Sequence, residues 1–173
     1  MKRLLMIAVL VTLGLSGCGY TTGSLLPSEY RTIAVEPFKN DVAYVNDTNR
    51  ASYIPLLETK VRSAIIDRYV FDGHLRINEG DKADLVLKGS LKSFDRDELR
   101  LTDNQDVQEY RIRITVGITL SDGSGEILWQ EPSFAGEATY FTSGPQAKSE
   151  SDALQDALTD LSRRIVERTI ENW

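Results

Sequence analysis

Glu109-Tyr110-Arg111-Ile112-Arg113-Ile114-Thr115-Val116-Gly117-Ile118-Thr119-Leu120 decides the fold. Tyr110, Ile112, Ile114, Val116, Ile118 and Leu120 fall on one side, and Glu109, Arg111, Arg113, Thr115 and Thr119 on the other. A period of two is satisfied by an extended strand with one dry and one wet face. The preceding segment repeats the pattern, with Leu85, Leu87, Gly89 and Leu91 opposed to Lys88, Ser90 and Lys92. Asp103, Asn104 and Asp106 between the two runs read as a polar hairpin turn. Downstream, Asp122-Gly123-Ser124-Gly125 makes a tight connection to Ile127-Leu128-Trp129, and a further strand runs from Glu137 to Phe141.

Outward from this sheet the period changes. Thr32-Ile33-Ala34-Val35 reads as a short buried strand closed by Pro37, and Asp41 to Arg50 as a polar loop. From Ser52 to Asp72, Ile54, Leu57, Val61, Ala64 and Ile65 recur at helical spacing, and Gly73 supplies a stop. Leu75 and Ile77 form a brief strand before a turn at Asp81 to Ala83. After a Gly/Pro loop, Ser149 and Asp152 resemble a capping box, and Leu154, Ala157, Leu158, Leu161, Ile165 and Trp173 define an apolar stripe. Acids at Glu150, Asp152, Asp156 and Asp160 precede Arg163, Arg164 and Arg168, the order that complements a helix dipole. This order predicts an α+β two-layer sandwich: a mainly antiparallel four-stranded sheet with two helices packed on one face and the other face open. A right-handed parallel crossover joins the first strand, through the first helix, to the strand at Leu85.

The N-terminus has a different character. Met1, Lys2 and Arg3 lead into an apolar run ending at Leu15-Ser16-Gly17-Cys18, the layout of a secretory signal peptide and too short to span a bilayer. Leu-Ser-Gly-Cys resembles the lipobox of bacterial lipoproteins, so Cys18, the single cysteine, is expected to be lipidated after removal of residues 1–17. By the sorting rule of enteric lipoproteins, Gly19 in place of Asp favours the outer membrane. Residues 18–29, rich in Gly, Thr and Ser, are expected to tether one domain spanning 30–173.

The composition narrows the functional class. The formal charge of −6 becomes −8 without Lys2 and Arg3, which argues against nucleic acid as a partner. Catalysis has little to stand on. His74, the single histidine, sits at a helix end, and Asp95, Asp97 and Glu98 lie among Arg96 and Arg100 as a solvated charged edge. Asp103, Asn104 and Asp106 lack the Gly and Glu spacing of a calcium loop, and Asn46-Asp47-Thr48 is a glycosylation triplet that is common by chance. With no His/Cys cluster, neither a metal nor a cofactor is expected. One constellation remains: Lys88 and Lys92 on one strand and Arg111 and Arg113 on the next, expected to be neighbours on the open face. Four such cations suit the phosphates of an anionic glycolipid, although on the residues alone solvating face charges, partly neutralised by Glu109 and Glu98, are the commoner explanation.

Several segments, in order, resemble the LPS-assembly lipoprotein family, LptE. They are Cys18-Gly19-Tyr20, Ile33-Ala34-Val35-Glu36-Pro37-Phe38-Lys39-Asn40, Asp72-Gly73-His74-Leu75-Arg76-Ile77, Ala83-Asp84-Leu85-Val86-Leu87-Lys88-Gly89, Glu109 to Ile114, Gly136-Glu137-Ala138-Thr139-Tyr140-Phe141 and the closing Glu171-Asn172-Trp173. The polar run Asp41 to Tyr53 is longer than the family's usual approach to the helix. The resemblance implies a non-enzymatic, periplasm-facing outer-membrane lipoprotein. Such a protein sits in the lumen of an LptD-like β-barrel, assists its assembly and handles lipopolysaccharide during insertion into the outer leaflet. Only Cys18 is carried over from the family as a site. A different class with the same ingredients is a periplasmic lipoprotein that activates or scaffolds a cell-wall enzyme or a secretion channel.

Overall fold

The computed structural model describes residues 26–42, 54–79 and 82–171. The signal peptide, Cys18, most of the tether, the Asn46 triplet and Trp173 lie outside the described residues. The elements run β1 (Thr32–Val35), β2 (Lys39–Asn40), α1 (Leu57–Asp72), β3 (Arg76–Ile77), β4 (Leu85–Leu101), β5 (Val107–Asp122), β6 (Ile127–Phe141) and α2 (Glu150–Glu171).

The sheet has six strands rather than four and is mixed rather than mainly antiparallel. Its order is β3-β1-β4-β5-β6, with β2 also on β4. β1 pairs in parallel with both β3 and β4, and β2 in parallel with β4. The parallel β1 and β4 are joined through α1, as the crossover expectation required. β3 answers to the brief strand read at Leu75 and Ile77, whereas β2 escapes a sequence-based reading because two residues are too few for any periodicity to register.

The second correction concerns β6. The runs at Ile127 and Glu137 belong to one strand of 15 residues that contains Pro132. Proline is tolerated there because β6 is the outer strand, where a missing N–H breaks no ladder bond. A register shift between Val116 and Ile118 takes up the irregularity.

In β4 a bulge between Leu91 and Ser93 switches the buried side chains from Leu85, Leu87 and Leu91 to Phe94. The buried row of β5, Ile112 to Leu120, is the one the alternation marks. Against this face pack Leu57, Val61, Ile65 and Tyr69 of α1, and Ala153, Leu154, Ala157, Leu158, Leu161 and Ile165 of α2. Each fully buried aliphatic side chain contributes roughly 1.5–3 kcal/mol, so these two rows hold the layers together. Phe38 closes one end of the core over Gly89, where any Cβ would overlap its ring.

The helix ends follow local chemistry. The Asp152 N–H donates to Ser149 Oγ at 3.1 Å, and Ser149 Oγ donates to Asp152 Oδ2 at 2.7 Å, completing the cap of α2. Gly73 ends α1 at φ 80, its N–H donating to Tyr69 O at 3.0 Å. Between the C-terminal halves of the helices, the Tyr69 hydroxyl lies 2.8 Å from Thr169 Oγ1. Burial pushes the Tyr69 hydroxyl well above its ordinary pKa.

Asp84 clasps the start of β1 to the start of β4. Its carboxylate accepts from the backbone N–H groups of Arg31 and Thr32 and from Thr32 Oγ1, at 2.8–2.9 Å. The Arg31 N–H bond, followed by the Thr32 hydroxyl, holds the carboxyl below the usual carboxylate range.

Candidate binding face

The face of the sheet away from the helices carries all four cations singled out from the sequence, but the register separates them. Lys88 lies opposite Thr119, whereas Arg113 lies opposite Asp95 and Arg111 opposite Asp97. From Arg113 to Thr119 is six residues of strand, roughly 20 Å at about 3.4 Å per residue. Lys92, in the bulge opposite Thr115 and Val116, lies between Lys88 and Arg113, so the expectation of four mutual neighbours is corrected to a row along the strands, which pairs with carboxylates in two groups.

The first group lines an open groove of about 440 Å³ between β2, β4, β5 and β6. Lys39, Lys88, Ser90, Lys92, Thr119 and Gln130 contribute polar groups, and Glu36 and Asp41 contribute acids. Lys88 Nζ lies 3.2 Å from Glu36 Oε1, and Lys92 Nζ lies 3.0 Å from Asp41 Oδ2. The Lys92 ammonium, and after it the Ser90 hydroxyl, holds Asp41 below the usual carboxylate range. Gly117 forms part of the floor: a Cβ there would press on Lys92 Cε and on the Pro132 carbonyl, so the lysine lies flat across the strand.

The second group is tighter. Arg113 Nε donates to Glu137 Oε1 at 2.6 Å, which raises the guanidinium pKa further. Arg111 is bracketed by Asp97 at 3.7 Å and Glu137 at 3.8 Å. Its Nε is buried without a hydrogen-bond partner among the described residues. The partners Asp97 and Asp95 were within reach of the sequence, because counting outward from the Thr102 and Asp106 turn sets Asp97 against Arg111. Glu36 and Asp41 were not, since only long-range parallel pairing, of β1 and of the two-residue β2 with β4, brings them beside Lys88 and Lys92.

The other candidates resolve into structural roles. His74 Nδ1 lies 2.6 Å from Asp72 Oδ1 just beyond α1, half exposed. Arg96 Nη1 donates to Glu150 Oε2 at 2.6 Å and its guanidinium lies 5.0 Å from the Tyr110 ring centroid. Arg100 pairs with Glu109. Thr102 caps the β4–β5 turn, its backbone N–H donating to Asp106 O and its hydroxyl accepting from Asp106 N–H. Among the described residues no group of three or more metal-ligating side chains converges, and no helix is long and apolar enough to cross a membrane.

The family model for lipopolysaccharide assembly, LptE, matches residues 30–169, nearly all of the domain just described. The chain belongs to the LptE family. No curated protein matches it in sequence. Solved structures share the LptE-type fold seen here at low identity. Protein XCC0632 from Xanthomonas campestris is 13% identical with a TM-score of 0.53, covering 83% of this chain and 88% of that one. A single-substitution variant of the PelC dodecamer from Paraburkholderia phytofirmans is 16% identical with a TM-score of 0.51, covering 87% and 96%. A lipoprotein B from Nitrosomonas europaea is 14% identical with a TM-score of 0.50, covering 83% and 86%. At these identities the likeness is one of fold.

Proposed function

We propose that this LptE-family chain is a non-enzymatic lipoprotein, anchored by an acylated Cys18 to the outer membrane and facing the periplasm. Its domain seats in the lumen of an LptD-like β-barrel, assists assembly of that barrel and engages lipopolysaccharide on the way to the outer leaflet. The family match over residues 30–169 is the observation that carries this reading. The open sheet face supports it, because a rigid surface bearing Lys88, Lys92, Arg111 and Arg113 offers phosphate both point charges and forks of N–H donors. The carboxylates now paired with them are exposed, and such pairs contribute little net stability. A phosphate can therefore displace Glu36 or Asp41 at small cost.

Two measurements test this. The tagged full chain, extracted in mild detergent, should bring down a large β-barrel protein; capture of a cell-wall enzyme or secretion-channel component in its place supports the scaffold reading. Changing Lys88, Lys92, Arg111 and Arg113 to Ser should weaken lipopolysaccharide binding by the purified chain at least tenfold, the effect of roughly 1.4 kcal/mol. Unchanged affinity removes the four cations from the binding surface.

A further inference from the structure

The two most exposed large hydrophobic side chains among the described residues are neighbours: Phe71, 80% exposed, and Val70, 67% exposed, in the last turn of α1. Their place in the fold gives them a partner. β1 and β3 run in parallel with Thr32 opposite Arg76, and the Arg76 N–H donates to Arg31 O at 3.0 Å. Three residues, Gly73 to Leu75, link the end of α1 to β3. The helix end bearing Phe71 therefore lies at the end of the sheet where the chain from Cys18 enters. Ile33 is opposite Leu85, and Leu85 is opposite Asp122, so the β5–β6 turn and the exposed Ile127 beside it are at that end too. The β4–β5 turn is at the other.

We propose that, before it seats in a barrel, the anchored domain docks by this end on the bilayer surface, with Phe71 and Val70 entering the boundary between headgroups and acyl chains. The inference rests on the reading of Cys18 as the lipidated residue. Leu26 follows Cys18 by eight residue steps, a leash that spans at most roughly 28 Å fully extended. β4 alone holds 17 residues and carries the β4–β5 turn about 55 Å away if extended, so the leash brings the Phe71 end to the leaflet and leaves the hairpin turn far from it.

The local chemistry fits a lipid interface. An exposed aromatic beside an aliphatic residue matches the apolar side of interfacial helices. The Arg68 guanidinium stacks 5.3 Å from the Phe71 ring centroid, and Arg68 forms no salt bridge among the described residues. The guanidinium itself covers the ring, its Nε buried without a hydrogen-bond partner among the described residues, and so brings a cation suited to a lipid phosphate up to the apolar pair. Arg31 and Arg76 are exposed at the same end. Of the acids at this end, Asp72 is engaged with His74, Asp84 with the start of β1 and Asp122 with the β5–β6 turn, while Glu29, Asp67, Glu126 and Glu171 are exposed. Burial of the apolar pair, rather than net charge, is thus the driving contribution.

The test uses the full lipidated chain in vesicles of phosphatidylethanolamine and phosphatidylglycerol that contain no other protein. Spin labels are placed singly at Val70→Cys and, at the opposite end of α1, at the exposed Thr59→Cys. Collisions with oxygen should exceed those with a water-soluble nickel chelate at position 70 and fall below them at position 59. Adding Phe71→Asp should return position 70 to the value at 59. A chain that carries acyl mass at Cys18 and floats with the vesicles, yet leaves position 70 as aqueous as 59, overturns the docking and keeps the anchor. Shielding of position 70 that needs a co-purified barrel also overturns it, assigning the apolar pair to a protein partner. A chain with no acyl mass at Cys18 overturns the anchor reading and the docking with it.

Discussion

The two helices cover the same sheet but are held by different means. α2 begins on Ser149, carries Glu150 and Asp152 in its first turn and Arg168 in its last, and buries a continuous face from Ala153 to Ile170. Local capping, dipole order and packing all agree. At its start α1 has Glu58 in the first turn but no cap. Leu56 precedes it in a left-handed conformation at φ 58 with no side-chain cap, no basic residue stands in its last turn, and Val70 and Phe71 make its outer surface apolar as well. With only Glu58 and the Gly73 stop as local support, α1 persists mainly through tertiary packing, here through Leu57, Val61, Ile65 and Tyr69. The difference shows which helix answers to its own sequence and which to its neighbours.

The contact that seats α2 is the place to break the comparison most severely. α2 crosses β6 at Gly136, where an added Cβ would fall 2.4 Å from Leu161 Cβ and 2.6 Å from its N and Cα. Backbone cannot yield as a flexible side chain does, so Gly136→Ala should cost about 3 kcal/mol, the upper part of the overpacking range. Urea denaturation should show a lower midpoint with an unchanged slope. A loss below about 1 kcal/mol would mean that α2 rides on its apolar face and tolerates lifting from the sheet.

The helix starts offer a smaller, two-signed test. Ser149→Ala removes the acceptor for the Asp152 N–H and should destabilise by about 1 kcal/mol. Leu56→Gly should act oppositely, because the left-handed conformation costs a side chain roughly 1–2 kcal/mol and glycine almost nothing. Part of that gain is lost to the wider freedom of glycine in the unfolded chain, leaving about 0.5 kcal/mol of stabilisation. If both changes destabilise, the Leu56 side chain contributes packing that its exposure does not reveal.

What can be read in advance follows the same division. β5 is legible because alternation runs through a long strand with one dry face, and α2 because cap and stripe coincide. Periodicity places the start of α1 at Ser52, but the helix begins at Leu57. Pro55 disfavours helical geometry at Ile54, and Leu56 then turns left-handed, so the periodic apolar residues upstream extend the pattern without extending the helix. The binding face is legible as a set of outward side chains and not as a pattern of neighbours. Periodicity fixes which side of a strand Lys88 and Arg111 occupy, while only register says how far apart they lie. The bulge at Lys92 and the two-residue strand carrying Lys39 depend on long-range pairing, which leaves no local periodic trace.

The smallest expected change is at the outer surface of α1, and its smallness is what makes it informative. Phe71 is among the largest apolar side chains of the helix, so a helix stabilised by its own hydrophobic content should weaken on Phe71→Ser. In the described structure Phe71 touches little besides the Arg68 guanidinium, and its exposure means that folding removes almost none of its surface from water. Stability of the purified chain in detergent-free buffer should therefore change by less than about 0.5 kcal/mol, the range of surface substitutions away from packed features. A loss of about 2 kcal/mol or more, the scale of core truncations, would show that Phe71 is packed in solution and would remove it as an exposed anchor. Near-neutral stability combined with altered vesicle depth at position 70 would instead separate what folds the helix from what the helix presents.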